Sequence, residues 1–145
     1  FATQNKNAET ICNYPRLDAL PEPSDFAGKA NEVCYIGGIF YSRGAVEIVK
    51  AIGLTPYRLN LAGNFSPESL RAALTTLDGW KNVTEFGFVD RKGVAAVLNR
   101  SKAGLVTLHP TLSYVEALPI KMFEYMAAGI PVIASDFPLW RDIVI

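Results

Sequence analysis

The sequence predicts an α/β fold in which helices cover both faces of a doubly wound parallel sheet of the Rossmann-like kind. Short apolar runs typical of buried strands alternate with helical stretches of about 10–15 residues, the spacing of strand–helix–strand crossovers. Glycine and proline separate these runs. The chain has 145 residues, half of them hydrophobic, which is enough for one domain with a substantial core.

The first half of the chain is expected to begin this alternation with a short strand. That strand runs from Thr10 to Asn13, and a proline-rich connection from Pro15 to Ser24 follows it. Ser66-Pro67-Glu68 predicts a helix start, because it offers a capping hydroxyl, a proline at the first position and an acid in the first turn. This helix is expected to end near Leu77. The other elements predicted in this half are a strand from Val33 to Ile36, a helix from Gly44 to Ile52 closed by Gly53, and a strand from Tyr57 to Ala62.

The second half continues the same alternation. Gly129 fits just past the end of a helix that begins near Pro119, and the residues from Pro131 to Ser135 then indicate a buried strand. Within that helix, the spacing of Met122, Tyr125 and Met126 predicts that they face the core. The other predicted elements are a strand from Val83 to Phe86, a helix from Lys92 to Arg100, a strand from Leu105 to Leu108 and a helix beginning at Pro138.

Two glutamates, Glu116 and Glu124, stand on either side of a proline and a lysine. Pro119 has no backbone donor and favours a loop or the first turn of a helix. The economical interpretation is a loop that carries Glu116, a helix that starts near Pro119, and Glu124 about one turn inside it. The loop and the helix start then lie beyond the carboxyl end of the preceding strand, where open parallel sheets bind ligands.

The chemistry of this segment favours a sugar nucleotide. Free N–H groups and the positive end of the helix dipole attract an anion such as phosphate, and Lys121 in the first turn adds a point charge. Glutamates beside a phosphate site are poorly placed to bind the phosphate itself. They are well placed to accept hydrogen bonds from the hydroxyls of ribose or a hexose.

A second candidate site is the glycine-rich junction after the strand that ends at Ile36. The adjacent glycines Gly37 and Gly38 allow a tight turn and a close approach of a ligand to the backbone. Arg43, at the start of the next helix, can contact diphosphate oxygens in a bidentate way, although a solvated arginine beside a plain turn is the alternative. The next glycine is Gly44, so the spacing of a dinucleotide-binding fingerprint is absent and a nicotinamide dehydrogenase is disfavoured.

These motifs resemble one family. Glu116-x7-Glu124, flanked by His109-Pro110 and Ala127-x-Gly129-x-Pro131-Val132-Ile133, resembles the signature of the retaining glycosyltransferases of family 4, often called group 1. The upstream matches are Asn13-Tyr14-Pro15, Tyr35-Ile36-Gly37-Gly38, Arg43-Gly44, Leu61-Ala62-Gly63 and Phe86-Gly87-Phe88-Val89. The resemblance implies that residues 1–145 are the C-terminal, donor-binding half of a two-domain GT-B enzyme, whose N-terminal acceptor domain lies outside this chain.

The resemblance also implies roles for individual residues. Glu124 would bind ribose, and Glu116 would bind the donor sugar or its phosphate. Arg43 and Lys121 would join Glu116 as the catalytic group, by stabilising the leaving diphosphate. The donor-binding residues would be Gly37, Gly38, Phe88, Val89, His109, Ala117, Leu118, Pro119, Ile120 and Glu124.

The chain departs from the family pattern at the glycine-rich junction. Family members usually carry an arginine where Gly38 stands and a lysine where Arg43 stands, both on the diphosphate. Either Arg43 and Lys121 suffice between them, or the diphosphate is bound differently here. Two further alternatives stay open: His109 as a core or supporting histidine, and Phe88 with Val89 as core packing rather than contacts with the base.

The function implied is transfer of a sugar, with retention of configuration, from a nucleoside-diphosphate sugar. UDP-N-acetylhexosamine or a UDP-hexose is the expected donor. The expected acceptor is a glycan or a lipid-linked acceptor in bacterial polysaccharide or lipopolysaccharide synthesis of the O-antigen type. The alternatives are a GT-B sugar-nucleotide epimerase and a non-catalytic nucleotide-binding or interaction module. The expected location is the cytoplasm, with peripheral association at the inner face of the membrane left open.

Composition and charge argue against a nucleic-acid-binding protein and against a membrane-spanning segment. The formal net charge is zero and no basic run is present, so nucleic acid is not an expected partner. No apolar run approaches the roughly 20 residues that span a bilayer, and no signal peptide is visible. Because the chain opens on Phe1 and stops at Ile145, a fragment of a longer protein is expected.

The cysteines and carboxylates predict no bound metal. Cys12 and Cys34 both lie among apolar residues and are expected to be free buried thiols in a reducing compartment. The chain has no Cys/His cluster with metal-ligand spacing. Asp-x-Asp is absent as well. No cofactor is therefore expected besides the nucleotide-sugar substrate.

Overall fold

The computed structural model describes Asn7, residues 14–15 and residues 25–144. The predicted strand from Thr10 to Asn13 lies outside the described residues, as does Cys12. Within them the chain forms the following strands: β1 (Glu32–Ile36), β2 (Arg58–Ala62), β3 (Val83–Gly87), β4 (Ala103–Val106) and β5 (Val132–Ala134). The helices are α1 (Ala45–Ile52), α2 (Ser69–Thr75), α3 (Arg91–Arg100), α4 (Leu112–Val115), α5 (Ile120–Ala127) and α6 (Pro138–Val144), with 3-10 helices at Tyr41–Arg43 and Asp78–Asn82.

The strands form a single parallel sheet in the order β3-β2-β1-β4-β5. The chain first builds outward from β1 to β3 and then returns to the other side of β1, so the order reverses between β1 and β4. Cys34 on β1 pairs with Asn60 on one side and with Gly104 on the other. This topology confirms the predicted doubly wound sheet, and its switch point lies at the carboxyl ends of β1 and β4.

Helices cover both faces of the sheet and create two apolar clusters. On one face α1 and α2 bury Ile48, Val49 and Leu70 against the sheet. On the other face α3, α5 and α6 pack on the strands, and their buried side chains include Val97, Leu98, Met122, Tyr125 and Trp140. Because apolar stripes at helical spacing meet a sheet that is itself apolar, this arrangement buries the core that the sequence pattern predicted.

The α5 prediction holds in most respects. Pro119 is the N-cap residue, and Gly129 follows the helix in the left-handed conformation with φ of +70°, as expected for a residue just past a helix end. Met122 and Tyr125 are buried, but Met126 is 36% exposed, so its assignment to the core is wrong. Burial on α5 is thus complete at Met122 and Tyr125 and incomplete at Met126, near the end of the helix.

The predicted helix start at Ser66 is also wrong. Helix α2 begins at Ser69, and its first turn has no side-chain cap. The backbone N–H of Ser66 instead donates to the carbonyl of Ile39, and Phe65 forms an isolated bridge with Ile39. Ser66 and Pro67 therefore belong to a loop that supports the glycine-rich junction after β1.

Strand β4 lies two residues earlier than the sequence indicated. Its pairing with β1 and β5 ends at Val106. Thr107 then turns away and donates its hydroxyl to the carbonyl of Arg43 over 3.3 Å, while the carbonyl of Leu108 accepts from the Ser135 hydroxyl over 2.7 Å. These tertiary contacts take the apolar end of the predicted strand out of the sheet.

An apolar groove of about 640 Å³ lies on the α1 side of the sheet, lined by residues that include Val33, Ile48, Leu105 and Ile133. No predicted donor-site residue lines it. Among the described residues no helix combines the length and the hydropathy that crossing a bilayer requires.

Candidate functional site

The two loops at the switch point bring the predicted site residues to one edge of the sheet. The first follows β1 and contains Gly37, whose φ of +128° favours glycine. Its N–H donates to the carbonyl of Ala62 at the end of β2 over 2.9 Å. Gly63 is packed so closely that a Cβ there would lie 1.9 Å from the Gly37 carbonyl oxygen. The loops after β1 and β2 are therefore packed directly against each other, and glycine is required at this contact.

Arg43 lies on the 3-10 helix that ends the first loop. Its guanidinium donates to the Gly38 carbonyl over 3.3 Å and stands 4.8 Å from the centre of the Phe40 ring. Burial acts to lower its pKa, but interactions with the hydroxyls of Tyr114 and Tyr35 outweigh burial and raise the pKa above its usual value. Arg43 is thus folded back over the glycine-rich turn and remains charged.

Lys121 lies in the first turn of α5, as predicted. Its ammonium is buried and has no hydrogen-bond partner among the residues that the structure describes. It stands 3.7 Å from the centre of the Tyr35 ring. Burial, with the nearby charge of Arg43, lowers the pKa of Lys121 to about 7, although Glu124 acts in the opposite direction. Close to the turn at Gly37, the site therefore holds an ammonium that receives no hydrogen-bond acceptor from the described part of the chain.

Glu124 lies one turn inside α5 and is half-buried. Burial raises the pKa of this carboxyl, whereas the charges of Lys121 and Arg91 act to lower it. A carboxylate that is partly shielded from water and faces two cations suits a hydrogen bond to a ligand hydroxyl. The predicted contact of Glu124 with ribose stays a prediction.

Glu116 is exposed and ends the short helix α4, which the sequence did not predict. The loop that follows contains Ala117, Leu118 and Pro119 and leads to Ile120 at the start of α5. Trp140 on α6 anchors this loop, because its indole N–H donates to the Ala117 carbonyl over 2.7 Å. Trp140 was unassigned in the sequence, yet it fixes the path of the backbone between the two glutamates.

His109 lies in the loop after β4 and contacts the loop after β1. Its backbone N–H donates to the Ser42 carbonyl over 2.9 Å, and its Nε2 is 3.3 Å from a carboxylate oxygen of Glu47 on α1. The side chain is 43% exposed, so it is not a buried core histidine. Its backbone joins the loop after β4 to the loop after β1.

Phe88 and Val89 follow β3, whose carboxyl end lies at the same edge of the sheet. Phe88 is 78% exposed, so the alternative that its ring packs in the core is wrong. Val89 is half-buried and abuts Gly93, where a Cβ would lie 2.8 Å from that of Val89. The apolar ring of Phe88 is therefore free to contact a ligand, whereas Val89 supports the start of α3.

Two tyrosines missed in the sequence hold the site together. Tyr35 is 1% exposed and donates its hydroxyl to the Gly38 carbonyl over 2.8 Å. The Tyr114 hydroxyl lies 3.4 Å from that of Ser42, and its pKa is lowered by hydrogen bonds with Ser42 and Arg43. The sequence offers one indication of a role for Tyr35, a hydroxyl-bearing ring two residues before a pair of glycines. Strand periodicity, however, predicts only that Tyr35 lies in the core.

The described residues contain no cluster of side chains that is suited to a metal ion. No group of three or more histidine, cysteine or acidic side chains is placed to hold a metal ion within residues 25–144 or the few described before them. Cys34 is free and buried, and burial raises the pKa of its thiol to about 12. The prediction of a free buried thiol is thus confirmed for Cys34.

Comparison with known proteins connects this geometry with one family. The family model described as Glycosyl transferases group 1 matches residues 18–145. No curated protein sequence matches the chain at a significant level.

Several solved structures share the fold. AviGT4, a glycosyltransferase involved in avilamycin A biosynthesis, superimposes with a TM-score of 0.79 at 19% identity, over 97% of this chain and 42% of that chain. WaaG, a glycosyltransferase involved in lipopolysaccharide biosynthesis, gives 0.58 at 21% identity, over 76% and 30%. The catalytic domain of cholesterol-α-glucosyltransferase from Helicobacter pylori gives 0.59 at 20%, over 74% and 66%.

At such low identity these similarities concern the fold alone. They agree with the expected Rossmann-like domain of a GT-B architecture. The chain spans less than half the length of AviGT4 and of WaaG.

Proposed function

We propose, on the premise that this chain belongs to the group 1 glycosyl transferases, that it is the donor-binding domain of a retaining GT-B glycosyltransferase of family 4. The observation that carries the proposal is the placement of Arg43 and Lys121 at the turn formed by Gly37 and Gly38, with Glu124 near Lys121 on α5. Two cations beside open backbone suit a diphosphate, and the half-buried acid one turn deeper suits a ribose.

The proposed donor is a UDP-sugar, either UDP-N-acetylhexosamine or a UDP-hexose. Phe88, exposed at the end of β3, would contact the base. The proposed acceptor is a glycan or lipid-linked glycan in bacterial polysaccharide or lipopolysaccharide synthesis, and it would bind to an N-terminal domain outside this chain. Among proteins of this fold, WaaG is involved in lipopolysaccharide biosynthesis. The proposed location is the cytoplasm, with peripheral attachment to the inner face of the membrane as an option of the whole protein.

The chemistry proposed for the chain is mainly electrostatic. As the bond between the anomeric carbon and the diphosphate breaks, negative charge grows on the leaving oxygens and the sugar becomes oxocarbenium-like. Arg43, Lys121 and the free amides at the start of α5 would stabilise the leaving diphosphate, because preorganised donors act strongly where water is excluded. Glu116, exposed at the mouth of the loop, would orient the sugar.

A thermal-shift screen against UDP, GDP and ADP tests the proposal. A ligand at about 100 times its dissociation constant adds roughly 2.7 kcal/mol of apparent stability, and we expect the largest shift with UDP. Glu124→Ala should remove most of that shift, because a hydrogen bond to a charged acceptor contributes about 1.5–3 kcal/mol. The matched control is Glu68→Ala, an exposed acid just before α2, which should leave the shift intact.

Two results would decide against the proposal. The absence of a shift with all three nucleotides would favour a non-catalytic interaction module. A shift that is equal in the Glu124→Ala variant and in the wild type would place the nucleotide elsewhere on the chain.

A further inference from the structure

Tyr35 contacts Lys121 although it belongs to neither the proposed catalytic group nor the proposed donor-binding residues. Tyr35 lies near the end of β1, and Lys121 lies in the first turn of α5, two elements that the chain brings together only through the switch point. The ring of Tyr35 faces the ammonium at 3.7 Å from its centre. The hydroxyl of the same residue donates to the Gly38 carbonyl over 2.8 Å. One side chain therefore contacts both the cation and the glycine-rich turn.

The Lys121 ammonium occupies space that the turn leaves open. A Cβ at Gly37 would lie 3.3 Å from Nζ of Lys121, so the glycine permits the cation to lie against the backbone. The ammonium makes no hydrogen bond with any described residue. A buried ammonium without hydrogen bonds is unfavourable, and the face of an aromatic ring compensates for only part of its lost hydration. An anion brought to the turn would supply the missing partner.

The groups around Lys121 leave it one acid and one additional cation. On β1 these are the Tyr35 ring and the buried thiol of Cys34, and on the 3-10 helix the group is Arg43. On α5 itself the acid is Glu124, which Arg91 at the start of α3 also faces. The positive charge of Arg43 thus offsets the negative charge of Glu124, and the charge of Lys121 is available to a ligand.

We propose that Tyr35 is a positioning residue whose ring holds the Lys121 ammonium against the Gly37–Gly38 turn, so that binding of the donor diphosphate is coupled to protonation of Lys121. The inference rests on the proposed function and adds to it a residue and a pH dependence. The diphosphate supplies the hydrogen-bond partner that the ammonium does not find among the described residues of the free protein. Tyr35 acts through Lys121, with its hydroxyl bond to the Gly38 carbonyl holding the ring beside the ammonium, and it does not contact the diphosphate.

The coupling has a definite sign. In the free protein the pKa of Lys121 is lowered to about 7, and a bound diphosphate raises it again. Binding therefore takes up a proton between the two values. Affinity is constant below about pH 7 and falls as the pH rises above it, by up to about tenfold per pH unit because a single proton is linked.

Calorimetric titration of the whole chain from pH 6 to pH 9 tests the coupling. The probes are UDP-glucose, GDP-mannose and ADP-glucose, because the diphosphate of a nucleotide sugar keeps its charge across this range, whereas the terminal phosphate of UDP does not. Wild type and Tyr35→Phe should both bind less tightly as the pH rises. Lys121→Met should bind weakly at every pH. Tyr35→Leu should weaken binding at pH 6 by about 2- to 30-fold, the equivalent of a cation–π contact, and should move the pH midpoint downward.

The double variant Tyr35→Leu/Lys121→Met separates positioning from a general loss of structure. With Lys121 absent, Tyr35→Leu should have no further effect on affinity. An additive loss in the double variant would overturn the role of Tyr35. If Tyr35→Leu does not fold, the profile of Lys121→Met decides alone, and a pH dependence that persists in that variant would overturn the coupling. Failure of all three probes to bind wild type would count instead against the proposed function.

Discussion

Among single residues, Lys121 has surroundings that lower the stability of the protein when no ligand is bound. Its ammonium is buried without a hydrogen-bond partner in the described part of the chain, and it lies 3.7 Å from the centre of the Tyr35 ring. Such groups are common at functional sites, where local stability is lost for the sake of ligand binding. The structure therefore predicts that removal of the charge stabilises the protein.

Lys121→Met is expected to raise the free energy of unfolding at pH 6 by roughly 1–3 kcal/mol, because a buried unsatisfied donor is removed. The pKa of Lys121 is 10.5 when unfolded and about 7 when folded, so the unfolded chain binds more protons between these values. The wild type therefore becomes more stable across this window as the pH rises, and the gain from the substitution shrinks toward pH 10.

Chemical denaturation at pH 6 and at pH 10 measures this gain. Lys50→Met, at an exposed position on α1, is the control and should change stability at neither pH. A Lys121→Met protein that is less stable than the wild type at pH 6 would show that the ammonium is satisfied in a way that its surroundings do not reveal.

Glu32 provides the opposite case at the amino end of the sheet. It is 7% exposed and accepts hydrogen bonds from the Arg100 guanidinium at 2.6 and 2.8 Å and from the Asn60 amide at 2.8 Å. Hydrogen bonding with Arg100 lowers the pKa of the carboxyl despite its burial. This network joins β1, β2 and the end of α3, and its charges are paired.

Arg100→Ala is expected to destabilise the protein at pH 7 by about 1–3 kcal/mol. The substitution removes the two hydrogen bonds that the guanidinium donates to the buried Glu32 carboxylate. The folded pKa of Glu32 is below 4.5, so the stabilisation is complete above that value and is lost as the pH falls through the lowered pKa. The difference between variant and wild type should therefore shrink in acid.

Urea denaturation at pH 7 and pH 3 provides the measurement. Arg141→Ala breaks an exposed pair with Asp136 and serves as the control, since exposed pairs contribute little. Equal destabilisation by the two substitutions at pH 7 would contradict the importance of burial.

At the scale of elements, the contact between β4 and α5 sets the position of the site helix. Gly104 on β4 lies against Tyr125, whose hydroxyl accepts a hydrogen bond from the Ile36 N–H over 3.0 Å. A Cβ at Gly104 would lie 2.2 Å from the Tyr125 ring. The ring is fully buried and held at both ends, so it has little room to move.

Gly104→Ala is expected to lower the free energy of unfolding by about 1–3 kcal/mol, the usual cost of overpacking a core. Because α5 carries Lys121 and Glu124, nucleotide affinity should fall with it. Thermal denaturation with and without UDP measures both effects. The control is Gly28→Ala, at a position where an added Cβ meets no atom within 4 Å. A Gly104→Ala protein as stable as the control would mean that α5 can shift on the sheet without loss.

The elements also show where sequence patterns are sufficient. Every strand predicted between residues 25 and 144 is present, because alternating apolar runs determine what is buried. The helix start at Ser66 failed because the backbone of Ser66 bonds to Ile39, a partner distant in sequence. Helix α4 was missed because four residues are too short for a periodic signal.

For the molecule as a whole, the proposed reaction requires a cleft between two domains, of which this chain would form one side. Structures of similar fold are considerably longer, and this chain covers 42% of AviGT4. In the proposed enzyme the acceptor lies on the other domain. The diphosphate, sugar and base would all be bound along the carboxyl edge of the sheet described above.

The isolated chain is therefore expected to bind a nucleotide weakly and to transfer no sugar. Incubation with radiolabelled UDP-N-acetylglucosamine and lipid-linked acceptors, with product separation by chromatography, checks this. Glu124→Ala provides the background level. Turnover above that background by residues 1–145 alone would show that the acceptor site is also contained in this chain.

Three features could be predicted from the sequence: the alternation of strands and helices, the start of α5 near Pro119, and the charged residues expected at the diphosphate. These follow from local rules, since proline, glycine and apolar periodicity act within a few residues. The resemblance to a glycosyltransferase family came from the same local motifs, and the match of the family model agrees with it.

The surroundings of those charged side chains could not be predicted and follow from the packing of distant elements. The burial of the Lys121 ammonium on the Tyr35 ring, the contact of Arg43 with the Gly38 carbonyl, and the anchoring of the Ala117 carbonyl by Trp140 all join elements far apart in sequence. Local patterns contain no information about these contacts, because hydration and the nearest charge depend on which elements pack together.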